Sequence, residues 1–203
     1  MRIIGGIAGG RILKVPKGMG VRPTPDLVRQ AIFNSLGDRV VDARVLELFG
    51  GTGALGLECR SRGAQQVICV EKAAKHAGFI RQNAREAGLD GPFFQVRVMD
   101  AFDALRQLGA TPVRFDLVMA DPPYGEKNAS RRSESFAQNV LDDVHLPGLI
   151  APHGMLVLGH ARRDALEIPP RWSEIKALKH GDSIFRMLQV VVASPVESGV
   201  PPV

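Results

Sequence analysis

Two short segments of this 203-residue chain carry residue types that could do chemistry at one place. The first runs Glu47-Leu48-Phe49-Gly50-Gly51-Thr52-Gly53-Ala54-Leu55-Gly56. Its spacing Gly51-x-Gly53-x-x-Gly56 fits a tight strand-to-helix turn whose backbone approaches a ligand, with free N–H groups at the start of the helix. Glu71 follows Gly51 by twenty residues, where a carboxylate accepts hydrogen bonds from both hydroxyls of a ribose. Loop and acid together point to a cofactor containing adenosine. Glu47 would repel a pyrophosphate, but it suits the cationic aminopropyl-sulfonium end of S-adenosylmethionine. Its bland alternative is an outward-facing or structurally paired acid. Asp100, in Met99-Asp100-Ala101, is placed either to cap a helix or to accept the exocyclic amine of adenine.

The second segment is Asp121-Pro122-Pro123-Tyr124. Two prolines cannot donate to a ladder, so a strand must stop there. Asp121 then offers carboxylate oxygens, Pro122 a carbonyl and Tyr124 an aromatic face. Two acceptors beside a stacking ring suit a planar group bearing an NH₂, such as a nucleobase amine. Holding both N–H groups draws the nitrogen towards sp³ geometry and makes it a nucleophile. The catalysis expected is mostly positioning and electrostatics. The alternative is a plain turn, for which Asp-Pro-Pro is ordinary.

These segments need a scaffold, and the rest of the chain supplies the pattern of one. Short apolar runs at 45–48, 66–70, 94–98, 115–120 and 155–159 read as strands. Helical stretches at 54–62, 73–87, 101–108 and 133–144 alternate with them. Residues 172–178 and 184–193 read as a closing pair of strands, with an antiparallel hairpin expected. Such alternation predicts an α/β fold with a mostly parallel sheet and helices on both faces. Ligands then bind beyond the carboxyl ends of the strands, near the switch point. Ahead of the sheet, residues 1–21 read as a short β-hairpin or an extended arm. Thr24 is expected to cap a helix with Pro25 at its first position, and an apolar stripe from Leu27 to Leu36 follows. The expected division is a basic extension over 1–40, a main domain over 41–193 and a disordered tail over 194–203.

Composition narrows the class. Hydrophobic residues are 45% and charged residues 23%, which argues against disorder, collagen and coiled coil. No apolar run reaches the length of a membrane span, and the N-terminus lacks the layout of a secretory signal, so a cytoplasmic protein without a membrane partner is expected. Cys59 and Cys69 fit no metal spacing and read as buried thiols; no metal is expected. The net charge of +5 is concentrated. Residues 1–40 hold seven bases and two acids, which leaves nineteen of each among the other residues, from totals of 26 and 21. A basic arm on a neutral body suggests a polyanion partner, most simply nucleic acid. Arg11, Lys14, Arg22, Thr24 and Arg29 on the arm, and Lys127, Arg131 and Arg132 after the Pro-Pro segment, are the candidate contacts. A solvated polar surface is the alternative reading of the same residues.

These motifs carry a family resemblance. The chain resembles the Rossmann-like class I S-adenosylmethionine-dependent amino-methyltransferases, which share the glycine loop and an Asp/Asn-Pro-Pro-aromatic motif. More narrowly it resembles the bacterial 16S rRNA (guanine-N2)-methyltransferases of the small ribosomal subunit. Arg2-Ile3-Ile4-Gly5-Gly6, Val21-Arg22-Pro23-Thr24-Pro25-Asp26 and Ser61-Arg62-Gly63-Ala64 carry the narrower match, which extends to near residue 190. The resemblance implies a seven-stranded sheet and cofactor contacts at Glu47, Phe49, Gly51, Gly53, Glu71, Lys72, Asp100, Ala101 and Asp121. It implies the target amine at Asp121, Pro122 and Tyr124, with ribosomal RNA as partner, within a small-subunit particle; nothing in the sequence suggests an obligate dimer, so a monomer is expected. Glu47 replaces the usual Asp, Gly50 and Thr52 replace Ala and Ser, and His160 stands where an acid is expected. Adenine N6 in DNA or RNA is the neighbouring alternative for the substrate. An NAD-dependent oxidoreductase is the alternative of a different class, and it would leave Asp121–Tyr124 without a role.

Overall fold

The computed structural model describes residues 1–15, 24–124 and 134–191. The parallel strands are β1 (Arg44–Leu48), β2 (Gln66–Glu71), β3 (Phe94–Val98), β4 (Phe115–Ala120) and β5 (Ile150–Ala161). β6 (Trp172–His180) and β7 (Ser183–Val190) close the sheet as an antiparallel hairpin, with β7 also antiparallel to β5. The seven strands lie in the order β3-β2-β1-β4-β5-β7-β6. The order reverses between β1 and β4, the two strands that end in the glycine loop and in Asp121.

Strand alternation sorts the core into two layers. Val45, Val67, Leu117, Met119 and Val157 face one side, under α1 (Asp26–Leu36), α2 (Ala54–Ser61) and α3 (Ala74–Ala87). Leu46, Leu48, Val70, Val118, Ala120 and Leu158 face the other, under α4 (Ala101–Gly109), α5 (Phe136–Asp142) and α6 (Leu146–Leu149). Helices therefore cover both faces. No helix among the described residues is long and apolar enough to cross a membrane. Trp172 packs in the second layer and donates its indole N–H to the Leu141 carbonyl, and Cys59 and Cys69 are buried free thiols.

The N-terminal segment is built into the first layer. Residues 1–13 fold back on themselves, with Arg2 bridged to Ile12 and with Ile3 N–H and Leu13 N–H donating to Arg11 and Met1 carbonyls. Ile3, Ala8 and Leu13 are buried in the same cluster as Ile32, Phe33 and Leu57. The fully buried Glu58 on α2 accepts from the Ile4 and Gly5 amides at 2.7 and 2.8 Å and from Arg62 at 2.7 Å. Ser61 on the same helix accepts from Ala8 N–H and donates to the Gly5 carbonyl.

Some boundaries differ from expectation. Helix α1 starts at Asp26, Pro25 stands in the capping position, and no side chain caps it. Thr24 instead turns away from its own helix towards β4, because a partner 97 residues distant competes for its hydroxyl. Helix α5 starts at Phe136 rather than at 133, because the Ser135 hydroxyl accepts from Gln138 N–H and fixes the start. It ends at Asp142. Strand β5 is longer than the apolar core at 155–159, since Ile150 already pairs with Phe115 of β4 and His160 and Ala161 still pair with β7.

Glu58 makes a stability prediction. Glu58→Ala leaves two amides and a guanidinium without their acceptor inside the fold. The expected loss is about 2–4 kcal/mol in denaturant unfolding, with an unchanged slope. A loss below about 1 kcal/mol would show that the segment is not held through this carboxylate.

Candidate active site

The site is built where β1 and β4 end side by side. β1 and β4 are paired in register, with Glu47 opposite Met119 and Leu48 opposite Ala120. Glu47 and Asp121, two residues past Met119, therefore emerge on the same face of the sheet.

After β1 the chain turns through positive φ at Phe49 (57°), Gly51 (56°) and Gly53 (74°). Gly50 N–H donates to the Val70 carbonyl and Gly53 N–H to the Gly50 carbonyl, which closes the turn. Gly53 needs its lack of a side chain twice over. Its φ disfavours an L-residue, and a Cβ there would lie 2.7 Å from Ile80. Gly56 is required by packing. A Cβ there would lie 2.6 Å from both Cys69 Sγ and Glu47 Oε2. This close approach lets α2 rest on the sheet directly over the Glu47 carboxylate.

Glu47 is only 2% exposed. Its carboxylate accepts from Leu55 N–H at 3.2 Å and from the Cys69 thiol at 2.8 Å. Burial outweighs those bonds and pushes the acid up to about 7. The acid thus lies beneath the loop, tucked under the first turn of α2.

Glu71, at the end of β2, accepts from Gly51 N–H at 2.8 Å and from Ala73 N–H at 2.7 Å, and His76 Nδ1 lies 3.6 Å away. The carboxylate thereby ties the glycine loop to the neighbouring strand end. Asp100 takes the capping role. It accepts from Phe102 N–H at the start of α4, where Ala101 is the first helical residue, and it meets Lys72 Nζ at 3.2 Å. Burial pushes Asp100 up, but the Phe102 amide and the Lys72 ammonium outweigh it and leave the acid below its ordinary value. The Phe49 ring joins Phe102 and Phe136 in a cluster with centroids 6.0, 6.0 and 6.4 Å apart, on the rim where β1, α4 and α5 meet.

Asp121 closes the other side. Burial pushes it up to about 6, while the Thr24 hydroxyl, which donates to Oδ2, acts in the opposite direction. Its Oδ1 lies over Gly159 on β5, where a Cβ would be 2.5 Å away. Pro122 is buried beside it, and the Tyr124 hydroxyl donates to Ser183 Oγ at 2.8 Å, so the β6–β7 hairpin tethers the ring. Gly159 and Ser183 belong to this site and were missed by sequence reasoning. A glycine after an apolar run and a serine opening a strand carry no signal until the fold juxtaposes them with Asp121 and Tyr124.

The remaining sequence candidates divide. Arg11 and Lys14 are exposed on the N-terminal segment, with Lys14 paired to Glu86 at 2.5 Å. Arg29 does not face outward. It is fully buried, bonded to the Arg2 carbonyl and to Asp26 at 2.8 Å, because α1 packs that side inward; no polyanion reaches it there. Arg22, Lys127, Arg131 and Arg132 lie outside the described residues, as does the 194–203 segment. His160 is buried, with Nδ1 at 2.9 Å from the Ala161 carbonyl and Nε2 accepting from Arg186, which also pairs with Glu174. No group of His, Cys, Asp and Glu among the described residues could hold a metal ion. A cavity of about 290 Å³ bounded by Arg39, Asp42, Asp116 and His153 lies at the opposite edge of the sheet and contains none of these residues.

The donor set fits an adenosine attached to a cation. Glu71 stands at the end of β2, where a ribose would meet it, and a buried acid at Glu47 awaits a positive charge, with glycine backbone between them. A model of the family described as "Conserved hypothetical protein 95" matches residues 1–189. Ribosomal RNA small subunit methyltransferase D of Escherichia coli K12 is 33% identical over 190 residues, 93% of this chain and 89% of that protein. The protein of the same name from Haemophilus influenzae is 28% identical over 93% of each chain. The solved structure of a hypothetical protein from Thermus thermophilus superposes with a TM-score of 0.76 at 28% identity, over 94% of this chain and 99% of that one.

The buried acids set a pH dependence. Glu47 holds its proton in the fold up to about 7, against an ordinary value of 4.5. The raised value makes its contribution full below pH 4.5 and lost as pH rises through 7. The loss is on the order of 3 kcal/mol at ~1.4 kcal/mol per unit. Asp121 acts with the same sign up to about 6. Thermal melts of the ligand-free protein between pH 5 and 8 should therefore fall with pH. Glu47→Gln should flatten the part of the fall above pH 6, and an unchanged fall would show that Glu47 is ionised throughout.

Proposed function

The chain belongs to the Conserved hypothetical protein 95 family, which matches it over residues 1–189, and from that premise we propose that it methylates the exocyclic N2 amine of a guanine in 16S ribosomal RNA, with S-adenosylmethionine as methyl donor. The observation that carries the reading is Asp121-Pro122-Pro123-Tyr124 standing beyond the end of β4, next to the glycine loop of β1, at the switch point of the sheet. The name of the Escherichia coli relative supports the small-subunit RNA as substrate.

When bound, S-adenosylmethionine supplies an electrophilic methyl on its sulfonium. In this reading the chain's residues do the rest by placement. Glu47 and the loop 49–53 hold the cationic amino-acid end, and Glu71, Lys72, Asp100 and Ala101 hold the adenosine. Asp121 accepts one N–H of the target amine. The Pro122 carbonyl, beyond the last ladder pair of β4, accepts the other. The Tyr124 ring, tethered to Ser183, offers a face on which the base stacks. The methylated amine is cationic and loses its proton readily, so no strong base is required. Asp121, at about 6, is able to take that proton and pass it to water. Arg11 offers exposed charge to RNA phosphates, and Lys14 does so where a phosphate displaces Glu86 from it. The working unit in this reading is one chain acting on a small-subunit particle.

The test is methyl transfer from radiolabelled S-adenosylmethionine to small subunits that lack the modification, with digestion to nucleosides. Label in N2-methylguanosine at one site is expected. Label in methyladenosine would overturn the substrate, and binding of NAD in place of S-adenosylmethionine would overturn the class. Asp121→Ala should lower kcat about 10²–10³-fold with nearly unchanged affinity for S-adenosylmethionine, since its oxygens act on the amine. A variant that loses cofactor affinity and keeps its saturated rate would assign Asp121 to the cofactor instead.

A further inference from the structure

We propose that Thr24 is a positioning residue for this chemistry, its hydroxyl holding the Asp121 carboxylate in the orientation that receives the target amine. The inference rests on the role given to Asp121 above. Thr24 carries the sequence signal of a helix cap, yet it caps nothing: the first turn of α1 has no side-chain cap, and its amides at Val28 and Arg29 turn to the Pro25 carbonyl. The hydroxyl instead donates across 97 residues of sequence to Asp121 Oδ2.

The mount is rigid. Pro25 follows Thr24 directly, and α1 is anchored in the core by Val28, Ile32, Phe33 and Leu36. Arg29 ties the same helix to the Arg2 carbonyl and pairs with Asp26 within the helix's first turn. The other carboxylate oxygen lies over Gly159, where even a methyl group would collide with it, and the Phe185 ring lies beneath the same point. The carboxylate is therefore held by a donor on Oδ2, while the bare backbone of Gly159 leaves room for Oδ1. A terminal carboxylate torsion is otherwise broad, so without the donor the group can swing away from the amine. A hydroxyl suits the task because it donates without bringing a charge. A lysine or arginine there would pair with Asp121 and compete with the amine. Burial raises Asp121 and the Thr24 hydroxyl lowers it. No bond is made or broken at Thr24.

The test compares Thr24→Val, which keeps the shape and loses the donor, with Thr24→Ser, which keeps the donor; Thr24→Ala stands in if the valine variant does not fold. Calorimetric affinity for S-adenosylhomocysteine should be unchanged in all of them. For Thr24→Val, kcat on small subunits should fall about tenfold with KM unchanged, and the serine variant should recover most of it. The Asp121 carboxyl, followed by carbon-13 NMR and assigned with Asp121→Asn, should titrate at higher pH in the valine variant and return in the serine variant. An unmoved titration would overturn the contact, and a moved titration with an unmoved kcat would overturn its catalytic use. A rise in KM at constant kcat would make Thr24 an RNA contact instead. The titration needs no RNA, so it decides the contact even where transfer to the subunit fails, an outcome that counts against the proposed substrate alone.

Discussion

The parallel pairing of β1 with β4 is the constraint on which the rest of the structure depends. β1 ends where the chain turns through positive φ at Phe49, Gly51 and Gly53, and β4 ends where two prolines lack N–H donors. Paired in register, they end together and leave their unfinished backbones at one edge. The same register places Glu47 and Asp121 on one face. Shifting either strand by one residue would send one acid to the face under α4 to α6 and separate the two.

Carboxylates organise the ground around that edge, each by a different balance. Glu58 and Glu71 spend their oxygens on backbone amides, the first tying the N-terminal segment to α2 and the second tying the glycine loop to β2. Asp100 meets an amide and an ammonium and is held below its ordinary value. At Glu47 and Asp121 burial outweighs the hydrogen bonds, and both are pushed up, to about 7 and about 6. Acids raised in this way gain most from a ligand that brings positive charge or N–H donors. That is the chemistry the cofactor's cationic end and an amine substrate would supply.

The N-terminal segment looks like an extension in the sequence, and in the fold it packs against α1 and α2. Its apolar residues enter the first core layer, and its amides are taken up by Glu58 and Ser61. The concentration of positive charge there is partly internal. Arg29 is buried, Arg2 meets Asp26, and Lys14 meets Glu86. A basic count along the chain therefore overstates the charge displayed outward. The segment's other contribution, the Thr24 hydroxyl, reaches the catalytic edge itself.

Alternation of apolar runs with helical stretches determined the α/β class, the strand sequence and the edge at which to look, because those depend on local periodicity and on glycine and proline chemistry. Residue type and spacing likewise singled out Glu47, Glu71, Asp100 and Asp121, since few side chains suit a ribose, a cation or an amine. Tertiary structure alone decided what those side chains touch. Thr24 reads as a cap, but a distant carboxylate competes for its hydroxyl. Arg29 reads as an RNA contact, but the rotation of α1 turns it inward. Gly159 and Ser183 read as nothing, yet they clear the floor under Asp121 and tether Tyr124. The physical reason is common to all four. Each depends on a contact between residues far apart in sequence, and such a contact has no local pattern until the sheet brings its partners together.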